Sequence, residues 1–199
     1  MKQIIERVKA IVFKPRETWQ TISSEETTIP ELMKNYLFIL AAAPAVALLL
    51  GKWIIGIQIP FVGVYRFSFG ASLVTSVLWY ILTIGGIWLA GKVTNYLAPN
   101  FGSVQNESKA FQLAVYSYTP FLAAGILNII PALSVLVFLS GLYGLYLLYI
   151  GLPVLMNTPK EKSLAYIVTI IVAIILIYII IQIIIGAFYN IFGPALPKI

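Results

Sequence analysis

The sequence contains no histidine, no cysteine and no aspartate. These side chains supply most catalytic bases, thiolates and metal ligands, so the Ser-His-Asp and Cys-His arrangements and the usual zinc sites cannot be built. The lack of cysteine also excludes a disulfide framework. An enzyme is therefore the least expected class, and we expect no cofactor and no metal.

Charge is scarce as well, at 10% of the 199 residues, and all seven acidic residues are glutamates. Five of them precede the first long apolar run, while Glu107 and Glu161 stand near the ends of later runs. No carboxylate lies deep in an apolar run, so the buried acid relay of many proton-driven carriers is not expected. Glycine-rich phosphate loops and basic-aromatic patches are also missing, so we expect no nucleic-acid partner.

Hydrophobic residues make up 60% of the chain and the mean hydropathy is +0.95, values typical of an integral membrane protein. Five runs are long enough to cross about 30 Å of hydrocarbon as helices. These runs are Leu32–Leu50, Gly70–Ala90, Ala110–Asn128, Ala132–Gly151 and Ser163–Phe188. The predicted fold class is all-α, a polytopic protein with five transmembrane helices (residues 32–199) after a cytoplasmic amphipathic segment (residues 1–31).

The basic residues divide unequally between the two ends of these spans. Ten lysines and arginines fall on the side of the N-terminus and three, Lys52, Arg66 and Lys198, on the other. Because Lys and Arg concentrate in short cytoplasmic loops, the count predicts a cytoplasmic N-terminus and an outward C-terminus in a cell membrane.

Residues 1–14 have the pattern of a short amphipathic helix. Ile4, Ile5, Val8, Ile11 and Val12 share about a third of the helical wheel, and polar residues occupy the rest. One interpretation is a helix in the cytoplasmic headgroup layer, with Phe13 and Trp19 near the interface. The other is a helix packed on the cytoplasmic loops.

Short segments between the apolar runs predict where the helices begin and where the chain turns. Thr28-Ile29-Pro30-Glu31 and Thr158-Pro159-Lys160-Glu161 each have the form of a capping box before an apolar run. Only Asn128–Pro131 separates the third and fourth runs, which predicts a tight antiparallel helical hairpin. The long outer connection Ile54–Phe69 is apolar and suits a loop resting in the outer interface.

Several short motifs lie in a characteristic order along the five runs. They are Phe13-Lys14-Pro15-Arg16-Glu17-Thr18-Trp19 with Ile22, Phe101-Gly102, Tyr116-Ser117-Tyr118-Thr119-Pro120, Gly151-Leu152-Pro153, and Thr158-Pro159 with Lys162. In this order and spacing the chain resembles the Ypt-interacting protein (Yip) family of five-span membrane proteins. It departs from many members at Ser103, where they carry a second glycine.

The resemblance implies a cytoplasmic N-terminus and an outward C-terminus. Eukaryotic members act in vesicle traffic and engage lipidated Rab GTPases, partly through longer N-terminal domains. A compact, isoleucine-rich chain with about thirty residues before its first span resembles prokaryotic members, for which the family implies membrane organisation or a transport-like role.

The third run carries the first candidate site. Pro120 lacks an N–H, so the carbonyl of Tyr116 is expected to lose its helical partner and the helix to kink. Ser117 and Thr119 can bond that carbonyl or offer a polar spot to a ligand. The motif therefore predicts either a substrate or lipid groove or a packing kink.

The fourth run carries the second candidate. Tyr143, Tyr146 and Tyr149 spread over about a third of the circumference of the predicted helix, and Gly151 and Pro153 follow in the sequence. The tyrosines suit one wall of a groove for an amphipathic molecule, and equally an interface belt or hydrogen bonds to neighbouring helices.

Two functions fit these features. The first is a non-enzymatic protein that organises the membrane or binds protein partners; its partners would be the lipid bilayer, other membrane proteins or a second copy of the chain. Small residues such as Gly85 and Gly144 allow close helix contact within the chain or between copies. The alternative is a small transporter or lipid-handling protein whose groove lies between the third-span kink and the fourth-span tyrosines.

Overall fold

The computed structural model describes residues 2–59, 61 and 63–192, with side chains as far as residue 187. The predicted outward C-terminus with Lys198, and Pro60 of the outer connection, lie outside the described residues.

The described chain is helical apart from one small hairpin. The α-helices are α1 (Lys2–Phe13), α2 (Pro15–Ser24), α3 (Ile29–Leu32), α4 (Phe38–Leu50), α5 (Phe69–Leu97), α6 (Glu107–Ala124), α7 (Ser134–Met156) and α8 (Lys160–Phe192). Wider π-turns at Met33–Leu37 and Gly51–Ile55 flank α4, and 3₁₀ turns cover Ala98–Phe101, Gly125–Ile129 and Pro131–Leu133. The strands are β1 (Ile57–Ile59) and β2 (Gly63–Tyr65).

Among the described residues, five helical stretches are long and apolar enough to cross a bilayer, which agrees with the predicted number of spans. They are the first span Ile29–Ile55, the second Phe69–Phe101, the third Glu107–Ile129, the fourth Pro131–Met156 and the fifth Lys160–Ala187. In the third span 67% of the most apolar window is buried inside the protein, against 11% in the fifth. The third span is therefore the central helix, and the fifth presents most of its surface outward.

The connection between the first and second spans is more regular than the sequence predicted. Strands β1 and β2 pair antiparallel, with Gln58 opposite Val64. Gly56 and Gly63 have φ values of 82° and 100°, which side chains other than glycine rarely adopt. Glycine at these two points lets the chain enter and close a hairpin between two spans.

The two predicted capping boxes have different outcomes. Thr28 forms the capping box, because its Oγ1 accepts from the Glu31 N–H at 3.4 Å while the Glu31 carboxylate accepts from the Thr28 N–H at 3.1 Å. The Thr158 hydroxyl instead donates to the Leu152 carbonyl at 3.3 Å and accepts from the Ser103 hydroxyl at 2.8 Å. It therefore ties two loops together, which the capping-box interpretation did not include.

The N-terminal hairpin, defined as α1 and α2, packs across the end of the bundle where the third span begins and the fourth span ends. Ile4, Val8 and Val12 pack against the buried core, and Ile11 is fully buried. Most of the predicted apolar face of α1 thus packs against protein, as in the second of the two predicted interpretations, whereas Ile5 of the same face is exposed. Trp19, which the first interpretation placed near the membrane interface, is fully buried inside the protein.

Candidate functional site

The third-span residues singled out by sequence are interior residues of the bundle. Tyr116, Ser117, Thr119 and Pro120 are all buried, and α6 continues through the proline. The Thr119 hydroxyl lies 3.0 Å from the Tyr36 hydroxyl and donates to the Val115 carbonyl at 3.2 Å. Neither predicted hydroxyl takes up the Tyr116 carbonyl, since Thr119 is engaged elsewhere and Ser117 Oγ has no partner among the described residues.

The fourth-span tyrosines do not share one groove with these residues. Tyr143 donates its hydroxyl to the Val12 carbonyl of α1 at 2.7 Å, while Tyr146 and Tyr149 are exposed on the outer surface. A Cβ placed on Gly144 would lie 2.5 Å from the Ser117 carbonyl oxygen, so the third and fourth spans touch at backbone distance. Because this glycine closes the space between the two helices, the predicted groove is not formed there.

Gly151 has a specific packing role at the end of the fourth span. A Cβ on Gly151 would lie 2.7 Å from Leu113 Cδ1 and 2.7 Å from Trp19 Cε2. The Trp19 ring also meets the Tyr116 ring edge-on, with 6.3 Å between centroids. Gly151 therefore leaves space for the Trp19 indole, which packs α2 against the bundle. Pro153, two residues further along α7, is half-buried.

Lys109 holds the other end of α2. Its ammonium donates to the carbonyl oxygens of Ile22, Ser23 and Glu25 at 3.1, 2.8 and 2.8 Å. The last carbonyls of a helix have no partner within it and carry partial negative charge, so a cation there is favourable. Lys109 thus caps α2 from the first turn of the third span.

A cavity of about 800 Å³ opens where α1, the loop after α2, the first span and Tyr116 meet. Arg7 donates to Glu25 at 2.5 Å and lies 5.7 Å from the centroid of the Tyr116 ring. Tyr36 packs against Tyr116 at 5.2 Å between centroids. Burial lowers the pKa of Arg7, but the hydrogen bond to Glu25 and the nearby charges more than offset this, so its pKa is raised.

Sequence reasoning missed this cavity. Arg7 is one of the polar residues that fill the rest of the helical wheel of residues 1–14, and Tyr36 had no predicted role. The available signal was the position of Arg7 on the helical wheel, directly beside the buried Ile11. Tyr36 lies in a π-turn, a feature that often occurs at functional sites, but the sequence gives no sign of it.

Comparisons with known proteins agree with this architecture. A sequence model of the Yip1 domain matches residues 9–182. The chain belongs to the Yip1 domain family. Relatives described as inner membrane protein YohC, from Escherichia coli strain K12 and from Escherichia coli O6:H1, are each 27% identical over 159 residues, covering 76% of this chain and 80% of theirs. No solved structure matches the chain.

Within this Yip1 domain the sequence motifs meet in pairs. The motif around Pro15–Trp19 packs on Gly151, as described above. Phe101 stacks on Tyr166 with 4.6 Å between centroids, and Gly102, with φ of 69°, turns the chain against Pro159. Ser103, the departure from the usual glycine, uses its hydroxyl to bond Thr158. The motifs therefore position the N-terminal hairpin and the loops at one end of the bundle.

Proposed function

We propose that this Yip1-family protein is a non-enzymatic membrane-organising protein whose N-terminal hairpin perturbs the cytoplasmic leaflet. One observation carries the proposal. With Ile4, Val8, Ile11 and Val12 of α1 packed against the bundle, the rest of the helix still exposes two large apolar side chains, Ile5 at 53% and Phe13 at 79%. Exposed apolar groups fixed at the end of a membrane bundle favour contact with lipid.

The outward face of α1 has the chemistry of a headgroup-layer contact. Ile5, Lys9 and Phe13 follow one another at intervals of four residues, which places them in one stripe along the helix. A lysine between two apolar side chains can meet lipid phosphate while its neighbours reach the acyl boundary. The ten-to-three distribution of basic residues supports a cytoplasmic position for this face.

Several contacts hold the N-terminal hairpin to the bundle, and a helix held in this way can bend the bilayer that it contacts. The buried Trp19, the Lys109 cap and the Tyr143 hydrogen bond join the hairpin to the bundle, and the Arg7–Glu25 pair links α1 to the loop after α2. A rigidly held helix occupies area in one leaflet only, which favours curvature. Assembly with a second copy or another membrane protein remains part of the proposal, and Gly85, which has open space around it, suits such a contact.

The test is vesicle deformation by the full chain reconstituted at rising protein-to-lipid ratios and imaged by electron cryomicroscopy. We expect wild type to shorten the radius of curvature and Phe13→Glu to weaken this, because a carboxylate resists entry into the acyl boundary. Val104→Glu is the matched control, since Val104 is 55% exposed on a loop at the same end of the bundle. Undeformed wild-type vesicles, or equal effects of the two variants, would refute the proposal.

The second candidate is a lipid-handling protein, and the cavity beside Arg7 is the observation that favours it. This cavity borders Tyr116, as the predicted groove did, but it lies toward the first span and not toward the fourth. Its position away from the fourth-span tyrosines changes which residues would contact a lipid.

A further inference from the structure

We infer that the cavity beside Arg7 binds the headgroup of a zwitterionic membrane lipid that carries a primary ammonium group, as phosphatidylethanolamine does. This inference goes beyond the membrane-organising proposal and does not depend on it. It rests on the shape of the cavity, on the change from polar to apolar along its wall and on its charges.

The wall formed by the first span changes from charged to apolar along the helix. Glu31, Asn35 and Ile39 line the cavity at intervals of four residues, so they follow one another over about two helical turns. Ile39 is 44% exposed on the outer surface of a span, where acyl chains would lie. Ile4 and Leu32 extend the apolar part of the lining. A ligand that fills this cavity needs a polar head and an apolar continuation, which is the form of a lipid and not of a soluble metabolite.

The charges in the cavity have both signs. Arg7 and Glu25 neutralise each other, while Glu6 and Glu31 also line the cavity and leave an excess of negative charge. Glu31 is bonded to Thr28, whereas Glu6 has no hydrogen-bond or ion-pair partner among the described residues. The carboxylate of Glu6 is therefore available to a cation, and the guanidinium of Arg7 keeps further N–H donors for an adjacent phosphate.

A primary ammonium fits these groups better than a quaternary one. An ammonium with three N–H donors can hydrogen-bond to a carboxylate, whereas a trimethylammonium has none to offer. The surface of the cavity also includes the rings of Tyr36 and Tyr116, but Arg7 already lies over Tyr116, so an aromatic cage for a trimethylammonium is incomplete. An anionic headgroup without an ammonium would face the carboxylates uncompensated.

The experiment measures thermal unfolding of the purified full chain in detergent against added dioctanoyl phosphatidylethanolamine, phosphatidylcholine and phosphatidylglycerol. We expect phosphatidylethanolamine to raise the unfolding midpoint at the lowest concentration, because a ligand that binds only the folded state stabilises it. Glu6→Gln should weaken this binding about threefold, the size expected for an exposed ion pair. Glu161→Gln, an exposed glutamate outside the cavity, is the matched control and should keep the wild-type preference.

Several results would overturn the inference. Equal unfolding midpoints with phosphatidylethanolamine and phosphatidylcholine would show that the primary ammonium is not recognised. A preference for phosphatidylglycerol would show that the cavity favours an anionic headgroup. Soluble phosphoethanolamine that protects as well as the lipid would assign the cavity to a soluble amine. An unchanged preference in Glu6→Gln would exclude the proposed contact. Because vesicle deformation is measured separately, each proposal can fail without the other.

Discussion

Replacing Gly151 by alanine should release the N-terminal hairpin from the bundle. The added methyl group would lie 2.7 Å from Leu113 Cδ1, 2.7 Å from Trp19 Cε2 and 2.8 Å from Trp19 Cζ2. Real Cβ atoms do not approach other heavy atoms so closely, and the Trp19 ring is fully buried, so it has no free space to enter. The least costly adjustment is for Trp19, and α2 with it, to move away.

The size of the effect follows from the contacts that undocking relieves. Overpacking of a core position costs about 1–3 kcal/mol, and two of the three close contacts, those with the Trp19 ring, are relieved when α2 moves away. Alanine is a better helix former than glycine by at most about 1 kcal/mol, but α7 is helical whether or not the hairpin is docked, so this gain does not change the docking equilibrium. The middle of the overpacking range, about 2 kcal/mol, raises the undocked population about thirtyfold.

Thiol labelling can measure this population because the chain contains no cysteine of its own. Thr18 is 5% exposed in α2, and Thr18→Cys changes its volume little, so a maleimide should reach the thiol only when the hairpin undocks. In the Thr18→Cys background, Gly151→Ala should raise the labelling rate about thirtyfold when closing is faster than labelling. Adding Trp19→Phe should reverse part of this increase, since the smaller ring relieves the clash.

Gly186→Ala is the matched control, because a Cβ there meets nothing within 4 Å. The same substitution in another span should leave the labelling rate unchanged. A wild-type labelling rate in Gly151→Ala would show that the close contacts relax without moving α2. An equal rise in both variants would point to general loosening of the bundle.

Two further predictions concern the core and the topology. Thr119→Val leaves the buried Tyr36 hydroxyl without its partner and should lower the free energy of unfolding by about 1–3 kcal/mol. The control Thr169→Val removes a hydrogen bond only within its own helix and should lower the free energy of unfolding much less. Chemical denaturation of the two variants in detergent measures both effects. Single cysteines introduced at the exposed positions Glu26 and Val64 should be labelled by a membrane-impermeant thiol reagent from opposite sides, the first only from the cytoplasm, and labelling of both from one side would contradict the five-span arrangement.

Much of the fold could be read from composition and spacing. Lipid requires every backbone polar group to be satisfied within the span, so a charge-free run of sufficient length indicates a helix almost regardless of its neighbours. The capping box at Thr28 was equally visible, because its hydrogen bonds join residues three apart in the chain. The hairpin of β1 and β2 was missed because its strands have only three residues each, too few for a periodic signal.

The candidate site could be predicted only in part. Tyr116 and Gly151 were identified as important, but their partners, Arg7 and Trp19, lie about a hundred residues or more away along the chain. Trp19 was assigned to the interface because tryptophan is common there. No pattern in the neighbouring sequence indicates that Gly151 of the fourth span leaves space for the Trp19 ring.

By itself, the sequence determined the number and nature of the spans, the family to which the chain belongs, and the absence of the side chains that most catalytic and metal sites require. These properties depend on local content: length of apolar runs, charge and residue type. The tertiary structure decided which apolar side chains are buried in the protein and which are exposed, because that depends on neighbours that residue type alone does not indicate. It also decided that Ser117 meets Gly144 instead of lining a groove, and that Arg7 borders a cavity, since both depend on contacts between residues distant in sequence.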